Sequence, residues 1–267
     1  MSNLMRLVVN NYHEILETNK EINVDSWAMM GSPGPMLCIV GTYLAFVLKV
    51  GPKMMEKRPA FQLNSLLIIY NAFLVIFSIW MSAVPAIYPG LKRLLFSPKC
   101  SNSNRVHRDT QVEAALANLA WWYFVAKIIE LLDTIFFVLR KKQNQVTFLH
   151  VYHHTMTSVF SWCYLKFLPG EQGAILGFLN STVHIVMYAY YLIAALGPKY
   201  RKYLWWKKYM TGIQLTQFAL MFGYLTMILV MDCKLPKALT YFFITNVVIF
   251  IYLFSDFYRK AYKKKQL

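Results

Sequence analysis

The chain has 267 residues, of which 57% are hydrophobic and 16% aromatic. With a mean hydropathy of +0.38, it carries more apolar surface than a soluble domain of this size can bury. Its 28 Lys and Arg against 12 Asp and Glu leave a net charge of +16, which favours anionic lipid or a polyanionic substrate; with no soluble domain to present a basic surface, nucleic acid is not an expected partner.

In chain order, residues 1–30 form a polar segment holding Glu14, Glu17, Glu21 and Asp25. No basic stretch followed by a short apolar one opens it, so no cleavable signal peptide is expected. Apolar runs follow at 33–51, 63–87, 112–139, 146–167, 172–196, 209–231 and 236–257, each near the roughly 20 residues that cross hydrocarbon as a helix. The sequence therefore predicts an all-α integral membrane protein of seven transmembrane helices over 31–258, with a basic tail over 259–267.

The third run carries Lys127, Glu130, Asp133 and Thr134, which at three-residue steps share one drifting stripe of a helix. One ionised group at a helix centre costs about 2.5–3.5 kcal/mol on insertion scales, so these charges are expected to meet each other rather than lipid. Lys127 and Glu130 can pair locally, and Asp133 then calls for an internal partner such as a histidine or lysine. The fourth run carries His150, His153 and His154; steps of three and four put all three rings on one side of a helix, within an arc of about 100°. Polar, titratable groups at bilayer depth point to function.

The fifth run adds Asn180, His184, Met187 and Tyr191 on one face, with Tyr188 and Tyr190 beside them, and the sixth adds Thr211, Gln214 and Gln217. Asn180-Ser181-Thr182 has a glycosylation pattern but lies inside a span. His150 lies eight residues past Lys142, about 12 Å of helix, and His184 lies fifteen before Lys199, about 22 Å. Both are therefore expected deep in a chamber that opens on the basic side.

Cationic residues decide which side that is. Placing the C-terminus in the cytosol gives that face seventeen of the 28, among them Arg140, Lys141, Lys142, Lys207 and Lys208. The N-terminus is then lumenal. Lys264-Lys265-Gln266-Leu267 resembles a dilysine retrieval signal and favours the endoplasmic reticulum.

The four motifs Lys127-x-x-Glu130-x-x-Asp133-Thr134, His150-x-x-His153-His154, Asn180-x-x-x-His184-x-x-Met187-Tyr188-x-Tyr190-Tyr191 and Thr211-x-x-Gln214-x-x-Gln217 together resemble those of the ELO family of very-long-chain fatty-acid elongases. The likeness runs from about residue 30 to the C-terminus, in order and spacing. It implies that helices two to seven surround an acyl tunnel and that a long-chain acyl-CoA is condensed with malonyl-CoA, yielding 3-oxoacyl-CoA, CoA and carbon dioxide. No metal or redox cofactor is implied. Expected partners are the two CoA substrates, membrane lipid, the reductase and dehydratase of the elongation cycle, and further copies or relatives in an oligomer.

For the chemistry, a covalent acyl-histidine is expected, because no cysteine or serine accompanies the imidazoles and a positioned neutral imidazole attacks thioesters. His153 is the expected nucleophile. His150, His154 and His184 would orient it, accept protons or stabilise oxyanion and enolate, with hydrogen bonds from Asn180 and Gln214. Lys127 and Asp133 would fix charge states. Glu130, Tyr188, Tyr191, Gln217 and the cations Arg140, Lys141, Lys207 and Lys208 are expected to bind substrate.

Two other classes share parts of this pattern. Iron-dependent membrane desaturases also use His-x-x-His-His, but resemble clusters of eight or more histidines, whereas this chain has six, with His13 and His107 in lumenal segments. A seven-helix receptor or transporter would hold intramembrane charges, yet neither repeat symmetry nor paired broken segments are visible. Cys100 and Cys233 follow spans two and six on the same lumenal side, in a compartment that permits disulfides. A bridge between them is expected, and alkylation under non-reducing conditions should leave both thiols unlabelled; labelling of both would sink it.

Overall fold

The computed structural model describes residues 23–87, 92, 110–167, 171–231 and 237–263. Cys100, Cys233 and the Lys264-Lys265 pair, on which the disulfide and retrieval expectations rest, lie outside them. Every extended element among the described residues is helical.

Helix α1 (Gly34–Met55) opens with Pro35 in its first turn, where a missing N–H costs nothing. Its ladder relaxes to a π-helical turn over Phe46–Val50, in which the Gly51 N–H donates back to Phe46 O. The turn falls where Pro52 removes a donor. Gly51 also permits close packing, since a Cβ there would meet Val138 Cγ1 at 2.8 Å and Phe46 O at 2.9 Å.

Helix α2 (Asn64–Ile87) lies along α6 (Glu171–Ala195). Its outer stripe leaves Ile69, Phe73, Ile76 and Trp80 exposed at steps of four, three and four, one apolar side of a helix directed outward. The expected single span 112–139 is instead two helices, α3 (Thr110–Glu130) and α4 (Leu132–Leu139). At Leu131 the N–H donates to Ile128 O, a tighter turn that re-aims the residues after it. The charged stripe is thereby divided between Glu130 and Asp133. The end of α4 is closed by Lys141 in a left-handed conformation, φ 55°, with the Lys142 N–H donating to Phe137 O, the pattern in which glycine is more usual.

Helix α5 (Phe148–Phe167) is started by Thr147, whose hydroxyl accepts the His150 N–H at 3.2 Å, a capping bond of the common kind. Helices α7 (Lys207–Val230) and α8 (Lys237–Tyr258) complete the set. Packing runs from α3 to α6, α7, α8, α5 and back to α3, a closed ring. Helix α2 flanks it beside α6, and α1 packs outside against α5 and α4. The segment before α1 is tied down across α3 and α5: Trp121 and Trp162 donate indole N–H bonds to Ala28 O and Met29 O, and Lys166 pairs with Asp25.

Among the described residues, five helices are long and apolar enough to cross a membrane: Gly34–Met55, Asn64–Pro85, Gly173–Ala195, Lys207–Val230 and Lys237–Tyr262. The two other runs of the expected seven form α3 with α4, and α5. Their composition is lowered by the very groups that mark the site, Lys127, Glu130 and Asp133 on one and three histidines on the other.

Replacing Gly51 by alanine forces α1 away from α4. Overpacking of this kind costs about 1–3 kcal/mol, so Gly51→Ala should lower the thermal midpoint in detergent, followed by tryptophan fluorescence; an unchanged midpoint would show that the contact relaxes freely.

Candidate functional site

Lys127 on α3 is buried, and its ammonium is the centre of a ring of four side chains on α3 and α6. It donates to both carboxylate oxygens of Glu130 at 2.9 Å and to Asn180 Oδ1 at 2.7 Å. Asn180 Nδ2 lies 3.3 Å from His184 Nε2, and His184 Nδ1 lies 3.1 Å from Glu130 Oε1. The arrangement that satisfies every member has Nδ1–H donating to the carboxylate and Nε2 accepting from the amide. Tyr123, one turn before Lys127, donates its hydroxyl to Asn180 Oδ1 at 2.9 Å and lies under the ammonium, 4.7 Å from nitrogen to ring centre. A buried pair tolerates its desolvation only when its remaining donors and acceptors are met; here the ammonium has three oxygen contacts and an aromatic face.

Asp133 does not meet a histidine or lysine as expected. The turn at Leu131 directs it to Tyr188, whose hydroxyl donates to Oδ2 at 2.9 Å. Tyr188 is fully buried and packs edge-on against His184 and Tyr70. Beside it, Thr134 bonds Tyr43 of α1 at 2.8 Å.

The three histidines of α5 project together. His150 and His154 have ring centres 4.3 Å apart, and His153 and His154 5.5 Å. His154 is buried; His150 Nε2 is buried with no hydrogen-bond partner among the described residues. His153 sits among Phe250, Phe254 and Phe218 at 5.1, 5.7 and 6.3 Å between ring centres. Ser158, one turn past His154, donates to Lys127 O at 3.1 Å, which fixes the histidine helix against the charged one.

Two cavities flank His153. The wider, about 530 Å³, is bordered by Asp133, Arg140, His150, His153, His154, His184, Tyr191, Lys207 and Gln214. The narrower, about 140 Å³, runs toward the other end of the bundle and is bordered by Asn180, Gln217 and mainly apolar or aromatic residues. Each draws its lining from α2, α5, α6, α7 and α8, the wider with α4 and the narrower with α3; α1 contributes to neither. Of the four clustered histidines, His153 alone borders both among the described residues.

The expected substrate residues divide accordingly. Arg140, Lys207 and Tyr191 border the wider cavity. Lys141 instead reaches Glu56 O at 3.3 Å, and Lys208 lies over the Tyr209 ring, so these two cations stay outside both cavities. Glu130 and Tyr188 are spent on the buried network. Gln214 and Gln217 lie against the sulfurs of Met187 and Met221, one beside each cavity. Among the described residues, no three His, Cys, Asp or Glu side chains are grouped to hold a metal ion. Tyr123 was not among the expected residues, although its position four before Lys127 places it on the same helical face; Phe250 and Phe254 carry no polar signal, and only the packing of α8 brings them to His153.

Residues 28–267 match the model of the ELO: GNS1/SUR4 family. The chain is 40% identical over 255 residues to "Very long chain fatty acid elongase 7" of Drosophila melanogaster, covering 95% of this chain and 76% of that protein. It is 42% identical to "Very long chain fatty acid elongase 4" of Homo sapiens, covering 90% and 75%. To "Very long chain fatty acid elongase 1" of Mus musculus it is 38% identical, covering 97% and 92%.

Breaking the buried ring from one side strands a charge. Glu130→Ala leaves the Lys127 ammonium without its carboxylate, a loss of about 3–5 kcal/mol. The variant should show a markedly lower thermal midpoint, and Glu130→Ala combined with Lys127→Met should recover part of it; a midpoint equal to that of the unmodified chain would contradict the ring.

Proposed function

The chain belongs to the ELO family of very-long-chain fatty-acid elongases, and on that premise we propose that it condenses a long-chain acyl-CoA with malonyl-CoA through an acyl group carried on His153. The observation that carries this reading is the position of His153 between a polar cavity with cationic residues and a narrower apolar one. Coenzyme A is a multiply charged head, and an acyl chain is an apolar tail. Their junction is the thioester carbon, and the residue at the junction of the cavities is the one in reach of it.

In the first half-reaction a His153 ring nitrogen attacks the thioester carbonyl, the carbon–sulfur bond breaks, and CoA leaves as a thiol once protonated. His150 and His154, on the same helix face, are the groups in reach to shuttle that proton. In the second, malonyl-CoA loses carbon dioxide and the resulting enolate carbon attacks the acyl carbon. A carbon–carbon bond forms, the carbon–nitrogen bond to His153 breaks, and the departing nitrogen takes up a proton from water through the neighbouring histidines, which restores the imidazole. Donors beside the wider cavity, Gln214 among them, oppose the oxyanion and the enolate. Asn180, Lys127, Glu130 and His184 hold the wall in which these groups sit, and Asp133 with Tyr188 does so one turn away. No metal enters the scheme.

Arg140 and Lys207 at the wider cavity receive the CoA phosphates. We further infer that all seven helical runs cross the endoplasmic reticulum membrane with the N-terminus lumenal, because this places the wider cavity on the cationic, cytosolic face. The 3-oxo product requires reduction and dehydration by enzymes acting after this one.

Incubating the purified chain with acyl-CoA alone should leave an acyl mass increment on the His153 peptide and release CoA, and later addition of malonyl-CoA should discharge it as 3-oxoacyl-CoA. An unmodified peptide under turnover conditions would point to direct attack of the enolate on the bound thioester. His153→Ala should lower turnover by at least about 10²–10⁴-fold, the scale of removing a group that moves protons or bonds in the transition state.

A further inference from the structure

Along α5 beyond His153, the narrower cavity is bordered by an arrangement that condensation itself does not require. Tyr164 borders it, eleven residues beyond His153 on α5, a helical rise of about 16 Å. Gly173, Ala174, Leu176, Gly177 and Phe178 of α6 border the same cavity, and at Gly173 the wall against Tyr164 is bare backbone. The Gly173 N–H donates to the Tyr164 hydroxyl at 2.7 Å, satisfying one of the amides that the first turn of a helix leaves without a partner. A Cβ added at Gly173 would fall within the Tyr164 ring; the ring therefore lies directly on the α6 backbone and is fixed at both ends. One turn on, a Cβ at Gly177 meets only Tyr123, at 3.8 Å, an ordinary contact.

We propose that Tyr164, held against the bare backbone of Gly173, is the floor of the acyl cavity and sets the longest chain that the protein elongates. This rests on the condensation reading above. An acyl chain anchored at His153 extends down α5 with its terminal methyl toward the Tyr164 ring. Removing the ring deepens the cavity, and a side chain at Gly177 makes it shallower. The two changes therefore act on chain length in opposite directions.

The test uses the purified full chain with malonyl-CoA and an equimolar mixture of saturated acyl-CoAs of increasing length, with products resolved by mass spectrometry. The readout is the ratio of long to short products within each variant, which a general loss of activity does not move. Tyr164→Ala should raise the length limit by one or more elongation steps, Gly177→Leu should lower it by one or more, and Tyr164→Phe, which keeps the ring and loses only the hydroxyl bond, should retain the original limit. An unshifted ratio in Tyr164→Ala would overturn the proposal, and if that variant fails to fold, an unshifted ratio in Gly177→Leu would do so. Absence of 3-oxoacyl-CoA at every length from the unmodified chain would count against condensation instead. The floor would then be judged by thermal stabilisation with acyl-CoAs of increasing length, where the same opposite shifts in the best-stabilising length are expected and their absence overturns it.

Discussion

A buried ammonium inside an apolar bundle is the constraint from which the site follows. Lys127 is only 2% exposed, and leaving it there without partners would cost several kcal/mol. Its carboxylate comes from its own helix, three residues on, but its amide comes from α6. The requirement to satisfy one charge thus fixes the register of α6 against α3. Because Ser158 bonds to the backbone oxygen of Lys127, the same point also holds α5. Three helices are located by a single residue, and two of them carry the histidines.

The network accounts for a division of labour among four imidazoles. His184 has both ring nitrogens within hydrogen-bonding distance of the ring's other members, so it is held firmly as part of the wall. His153 has aromatic neighbours and two cavities instead. Rigid support behind and open space in front is the arrangement that the proposed acyl transfer at His153 calls for, because a reacting group must be held within a narrow tolerance. The turn at Leu131 serves the same end, since it separates Glu130, which serves the ring, from Asp133, which serves Tyr188.

The two ends of the bundle differ in chemistry because different stretches of the same helices reach them. The wider cavity is bordered by the first turns of α5 and α7 and the last of α6 and α8, with Arg140 and Lys207; the narrower is bordered by their opposite halves and by aromatic and small residues. One set of helices therefore borders a cavity with cationic residues toward one end and a mainly apolar one toward the other. Their meeting place is set by where one histidine stands along α5.

Much of this was legible in the residues themselves. Helical periodicity groups His150, His153 and His154 on one face, places Lys127 beside Glu130, and aligns Asn180 with His184, because contacts within a turn follow from spacing alone. The four motifs in order were enough to indicate the family. What periodicity does not encode is which face of one helix meets which face of another. The choice of Tyr188 for Asp133, the reach of Lys141 to Glu56 O, the phenylalanines around His153 and the meeting of Tyr164 with Gly173 all join residues on different helices or loops. Each was decided by packing in three dimensions, where the cost of an unpaired buried group and the volume of neighbouring side chains select one arrangement among many that the same sequence pattern allows.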